Sequence, residues 1–178
     1  MIYKLIFSCE EVEDFRRVYE ADGDATFLEL HNAILQSVGY TDDQMTSFYM
    51  CNERWEKGQE VTLVEMGSNF EYDNMVMEST RISELLEERG QRMIYVYDPM
   101  FERYFFGNLR EIKSGIMNGV ECVESTGRAP KQLKADDPIV AATGSSWDLD
   151  DEFRDELDLG DIDMDGFQDL SFDDGTMF

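Results

Sequence analysis

The stretch from Asp24 to Met50 restricts the fold more than any other part of the sequence. It opens with T-F-L-E at Thr26. That is a capping box: the Thr26 hydroxyl accepts the N–H of Glu29, and the Glu29 carboxylate reaches back to the N–H of Thr26. Phe27, Leu30, Ile34 and Val38 follow at helical spacing, as do Leu28, His31 and Leu35. Stripes this broad predict a helix buried on one side. Gly39 ends it, because a helix C-cap needs the left-handed conformation that glycine takes. Thr41-Asp42-Asp43 makes a turn. Ser47 to Cys51, rich in Phe and Tyr, then reads as a strand.

Strand patterns surround this unit. In Ile2 to Ser8, Tyr3, Leu5 and Phe7 share one face and Ile2 and Ile6 the other. Phe15 to Glu20 forms a second strand after the acidic turn Glu10 to Asp14, so the two make a hairpin. Adjacent Arg16 and Arg17 point to opposite faces and form no patch. Glu60 to Val64 reads as a fourth strand, and Gly67 to Glu78 has no clean period and reads as a loop. Ser79 or Thr80 is placed to cap a second helix, with Ile82, Leu85 and Leu86 as its stripe and Gly90 as its end. Arg92 to Tyr97 and Phe101 to Ile112 are further strands. The last is apolar on both faces, which predicts a central strand covered twice. Val120 to Val123 is a candidate edge strand. The expected fold is α+β: two helices packed on a largely antiparallel sheet, in the order β-β-α-β-β-α-β-β.

Charge divides the chain. The formal net charge is −25. From Asp136 to Phe178 there are fifteen Asp or Glu residues and one Arg. We therefore read residues 1–135 as the folded domain and 136–178 as an acidic tail, disordered in isolation. Both parts repel phosphate backbones, which makes nucleic acid a poor direct partner and a basic surface a better one. The tail alternates its acids with large apolar residues, among them Trp147, Phe153, Leu157 and Phe167. This alternation is typical of segments that dock a partner through apolar side chains. The expected partner is a protein with a basic or hydrophobic surface, or the tail's own domain; a purely solvating tail is the alternative.

Candidate chemistry is sparse. Asp161, Asp163, Asp165, Gly166 and Asp169 match the first half of an EF-hand loop, but Phe172 stands where the bidentate Glu belongs. His31 is the only histidine and lies in the apolar pattern of the central helix, where a histidine satisfied by a neighbour is the simpler reading than acid–base work. Gly107, Gly115 and Gly119 make no phosphate loop, and no cofactor motif is present. Three widely spaced cysteines, Cys9, Cys51 and Cys122, fit reduced thiols in a cytoplasm better than a disulfide framework. The apolar run before Cys9 is too short for a leader peptide, and no window is apolar enough to span a bilayer.

Several words in the sequence together resemble one family. They are Phe15-Arg16-Arg17-Val18, Ala25 to Ile34, Gly39-Tyr40, Phe48, Tyr95-Val96-Tyr97-Asp98 and Gly127-Arg128-Ala129-Pro130. In this order they resemble the plasmid Ri open-reading-frame-three-like family, some of whose members are labelled passenger proteins of insertion elements. The resemblance covers roughly residues 2–132. It implies an α+β fold and no established activity. Tyr40 stands where the family has Trp, Pro99-Met100-Phe101 stands where it has F-G-D, and the cysteine-rich C-terminal motif of some members is absent.

Three functions follow as expectations. The first is a non-enzymatic interaction module using the domain surface, around His31, Asp98 and Arg103, together with the tail. The second is a mobile-element accessory acting on DNA or on a DNA-bound protein, marked by salt-sensitive duplex binding. The third is an enzyme of unidentified chemistry, marked by a cleft where acids or His31 converge.

Overall fold

A computed structural model of the chain describes residues 1–65 and 75–133. The described residues belong to a unit spanning Met1–Lys134. Strands β1 (Ile2–Ser8) and β2 (Arg16–Asp22) form the first hairpin, with Ile2 opposite Asp22 and Ser8 opposite Arg16. Helix α1 (Phe27–Val38) follows. Its capping box is in place: Glu29 N–H donates to Thr26 Oγ1 at 3.2 Å, and Thr26 N–H donates to Glu29 Oε2 at 2.8 Å. Gly39 closes the helix at φ 71°, its N–H donating to Leu35 at 2.9 Å.

After α1 come β3 (Ser47–Cys51), β4 (Lys57–Thr62), β5 (Met75–Val76), α2 (Ile82–Leu85), β6 (Arg92–Asp98), β7 (Arg103–Lys113) and β8 (Val120–Thr126). The eight strands form one sheet in the order β5-β4-β3-β6-β7-β1-β2-β8. Every neighbouring pair is antiparallel except β4 with β5. The α+β class therefore holds. The order gains β5 inside the expected loop, and β8 runs to Thr126.

One apolar core lies between the helices and one sheet face. It joins Phe27, Leu30 and Ile34 of α1 to Leu5, Phe7, Phe48, Tyr95 and Phe105, and it includes Ile82 and Leu86. Each such side chain contributes about 1.5–3 kcal/mol when fully buried. Val18, Ile94 and Val96, though buried, lie on the opposite face and outside this cluster.

Three expectations are corrected. Residues 75–76 are a strand, because a two-residue parallel pairing leaves no period in the sequence; Met77, fully buried, then donates its N–H to Thr62 at 2.8 Å. Helix α2 is one turn long and has no side-chain cap. Thr80 instead donates its hydroxyl to Val76 at 2.8 Å, and Ile82 N–H donates to Ala25 at 2.9 Å, so pairing with the chain before α1 replaces capping. Gly90 lies beyond the helix at φ 93° and donates its N–H to Leu109. Finally, β7 is covered by helix-side core on one face only. Phe105 is buried there, while Tyr104 and Phe106 are half-buried on the other face, which no helix of the described residues covers.

Candidate functional site

Four clusters hold the chemistry of the described residues. The first lies where β6 turns into β7. Asp98 ends β6, Arg103 begins β7, and the two face each other in register. Both are interior, with side chains only 2% and 5% exposed, so neither offers the surface expected of it. Arg103 Nε and Nη2 grip Glu11 at 2.7 and 2.9 Å. Nη1 reaches Asp98 at 3.4 Å and the Gln132 carbonyl at 2.9 Å. Nη2 also donates to the Lys131 carbonyl at 2.6 Å. These bonds account for all five N–H donors of a guanidinium. Burial opposes its charge, but the Glu11 hydrogen bonds more than restore it, and Asp98 adds to this. Tyr97 lies under the guanidinium at 5.0 Å and donates to Glu11 at 3.2 Å, its phenol pushed up by burial.

Arg17 makes a second clasp. It is buried and stacks over Phe15 at 4.6 Å. Its Nη1 donates to the Thr126 carbonyl at 2.6 Å, and Nη2 donates to Gly127 at 3.2 Å. Its Nε has no hydrogen-bond partner among the described residues. Tyr40 donates to the Pro130 carbonyl at 2.5 Å, and Thr41 and Gln132 exchange bonds at 2.9 and 2.7 Å. Residues 127–133 thus form a strap held by side chains of the body. Gly127 has φ 69° and its α-carbon lies so close to Asp14 that a Cβ would sit 2.3 Å from the Asp14 carbonyl oxygen.

His31 is fully buried, which again removes it from the surface. Its Nδ1 lies 2.8 Å from Tyr95 Oη and 3.3 Å from Thr46 Oγ1, and its Nε2 lies 3.1 Å from Asp42 Oδ1. Burial lowers its pKa, and the Asp42 bond pulls partly back. A neutral ring with Nε2–H donating to the carboxylate and Nδ1 accepting from the Tyr95 phenol satisfies Asp42 and Tyr95. The arrangement has the order of a proton relay. Both hydroxyls are buried, whereas Asp42 at the other end is 55% exposed.

The fourth cluster is the sheet face that, among the described residues, no helix covers. Strand pairing sets Glu60, Tyr49, Ile94, Phe106, Ser8 and Arg16 in one row. Trp55 lies over this row, edge-on to Phe106 at 4.7 Å, with the Arg92 guanidinium 5.1 Å from its ring centre. Tyr104 meets Phe106 at 5.1 Å, and Lys57 lies over Tyr49 at 5.0 Å. Trp55 has φ 65°, in a loop that Asn52 holds by accepting from Arg54 and Glu56 N–H at 2.8 and 3.0 Å. A non-glycine residue in that region costs about 1–3 kcal/mol. Its ring stays half-buried all the same, as do Tyr49, Tyr104 and Phe106.

Sequence reasoning named Asp98, Arg103 and His31 and missed Glu11, Arg17, Tyr40 and Trp55. Arg103 was expected at the surface, although an arginine inside an apolar strand requires a partner, and that signal points inward. Trp55 carried no signal, because its role depends on a loop folding over a sheet. The calcium candidates Asp161, Asp163, Asp165 and Asp169 and the docking candidates Trp147, Phe153, Leu157 and Phe167 lie outside the described residues. Among the described residues no group of acids, Cys and His is placed to hold a metal. The three thiols are free, Cys9 buried and Cys122 exposed. Among the described residues, no helix is long and apolar enough to cross a membrane.

The family model of the plasmid pRiA4b ORF-3-like protein matches residues 8–130. The chain belongs to this family. The crystal structure of a protein of unknown function from Methanosarcina mazei Go1 has a similar fold, with TM-score 0.53, 18% identity, and coverage of 70% of this chain and 68% of that one. No match was found among curated proteins. The family words now have physical roles. In this plasmid ORF-3-like chain, Phe15-Arg16-Arg17 supplies the Arg17 clasp, Tyr40 holds Pro130, Asp98 pairs with Arg103, Tyr95 meets His31, and Gly127 to Pro130 lies in the strap.

Proposed function

We propose that this plasmid ORF-3-like chain is a non-enzymatic interaction module. Its domain binds a protein partner through the helix-free face, and its acidic tail contributes apolar anchors at Trp147, Phe153, Leu157 and Phe167. The observation that supports this reading is the aromatic row at Tyr49, Trp55, Tyr104 and Phe106. Half-buried aromatics beside Arg92 and Lys57 have the composition of interface centres, where Trp, Tyr and Arg carry most of the energy. The charged clusters argue the same way from the other side. Arg103 and His31 spend their hydrogen bonds on the fold and keep none for a substrate. The partner fits a cytoplasmic setting with reduced thiols.

The test uses the full chain as bait in nuclease-treated lysate, followed by titration with the purified partner. Trp55→Ala with Tyr104→Ala, and separately Trp147→Ala with Phe153→Ala, weaken binding by more than about tenfold each. Circular dichroism verifies that both variants fold. Retention unchanged in both variants overturns the reading, and a salt-sensitive complex with duplex DNA replaces it with the DNA-directed alternative.

A further inference from the structure

The two edges of the sheet are built differently. β5 ends one with two residues. β8 ends the other with seven, six of them exposed. A strand at a sheet edge offers backbone N–H and C=O groups that no neighbouring strand satisfies, and short strands are one way to blunt that offer. Only the β5 edge is blunted in this manner.

The side chains of β8 carry an unbalanced charge. Glu121 stands opposite Glu20 in the ladder, and Glu20 already binds Lys113 at 2.6 Å. Like charges directly opposite destabilise a strand pair. No basic residue among the described ones lies within ion-pair distance of Glu121. Glu124 reaches Arg16 at 3.6 Å, with both side chains about half exposed. Glu124 faces Val18 and Cys122 faces Tyr19, so Val123 is the extra residue of a bulge on β8. It is 50% exposed, and Ile116, in the turn that enters β8, is 98% exposed.

These features select among strands that might add to the edge. Self-pairing that sets Cys122 against Val123 of a second copy brings Glu121 against Glu124, so copies of this chain repel each other there. A strand bearing Lys or Arg meets the opposite situation, because a cation beside Glu121 relieves its contact with Glu20. Val123 and Ile116 supply apolar contact on the same edge. We propose that β8 is a docking edge for an extended basic peptide, which adds to the sheet as a further strand. This deepens the interaction-module reading by naming a partner chemistry, and it uses a surface separate from the Trp55 face.

The experiment uses the full chain, isotope-labelled for amide NMR. The probe is a short capped peptide alternating lysine with valine. A second probe has the same sequence with alternate backbone nitrogens methylated, which keeps the charge and removes the hydrogen-bond donors. The first peptide shifts the amides of residues 120–126, and the methylated one binds more than about tenfold more weakly. Glu121→Lys with Glu124→Lys reverses the preference toward a peptide alternating glutamate with valine. Unmoved β8 amides at millimolar peptide, equal binding of the methylated probe, or an unchanged preference in the double variant overturns the proposal. The Trp55 and Tyr104 variants bind the lysine peptide normally, so failure here is distinct from failure of the aromatic face.

Discussion

Arg103→Met removes the guanidinium and keeps most of its volume. Asp98, with a side chain 2% exposed, then holds a buried charge supported, among the described residues, by the Phe101 N–H at 3.2 Å. Breaking a buried pair from one side costs about 3–5 kcal/mol. The Glu11 arm adds little, since that side chain is 40% exposed and water replaces the lost partner. The carbonyls of Lys131 and Gln132 also lose their donors, which frees the strap. Against a total stability of about 5–15 kcal/mol, the expected loss is a large fraction. Urea unfolding followed by far-UV circular dichroism measures it. Trypsin provides a local readout, because the bonds after Arg128 and Lys131 become easier to cut. Asp98→Asn in the Arg103→Met background restores part of the loss, since it removes the stranded charge. A loss below about 1 kcal/mol, or an Asp98→Asn effect identical in both backgrounds, refutes the reasoning.

Two further outcomes follow from the same geometry. Gly127→Ala combines a left-handed φ with a Cβ 2.3 Å from the Asp14 carbonyl oxygen, whereas Gly39→Ala at φ 71° meets nothing within 4 Å. The second variant loses about 1–2 kcal/mol from backbone conformation alone, and the first loses measurably more in the same urea assay. For His31, burial lowers the folded pKa below the unfolded value of about 6.5, so between the two the unfolded chain binds the extra proton. Its contribution is complete above about pH 6.5 and is lost as pH falls through the folded value. The stability of the parent minus that of His31→Gln therefore rises with pH across this window, by at most about 1.4 kcal/mol per unit, and a flat difference refutes the assignment.

Legibility in the sequence followed locality. The α1 helix was readable to the residue at both ends, because Thr26, Glu29 and Gly39 interact within a few positions of one another. The α2 ends were misread because Ser79, Thr80 and Gly90 look like caps locally, while Thr80 and Gly90 are committed to distant backbone. The strap was visible only as the family word Gly127-Arg128-Ala129-Pro130. Its meaning depends on Arg17, Tyr40 and Arg103, more than 80 residues away for the first two.

What the sequence determined by itself was the class of the fold, the position of the main helix and the division of charge along the chain. Periodicity and capping are short-range physics, and they are written in neighbouring residues. What only the tertiary structure decided was which polar residues are free to act. Arg103, Asp98 and His31 carry the chemistry of a site, and folding spends that chemistry on internal hydrogen bonds. Among the described residues, nothing pairs with the outer side of β8 and the aromatic face is only half-buried, because burial and pairing depend on which strands become neighbours.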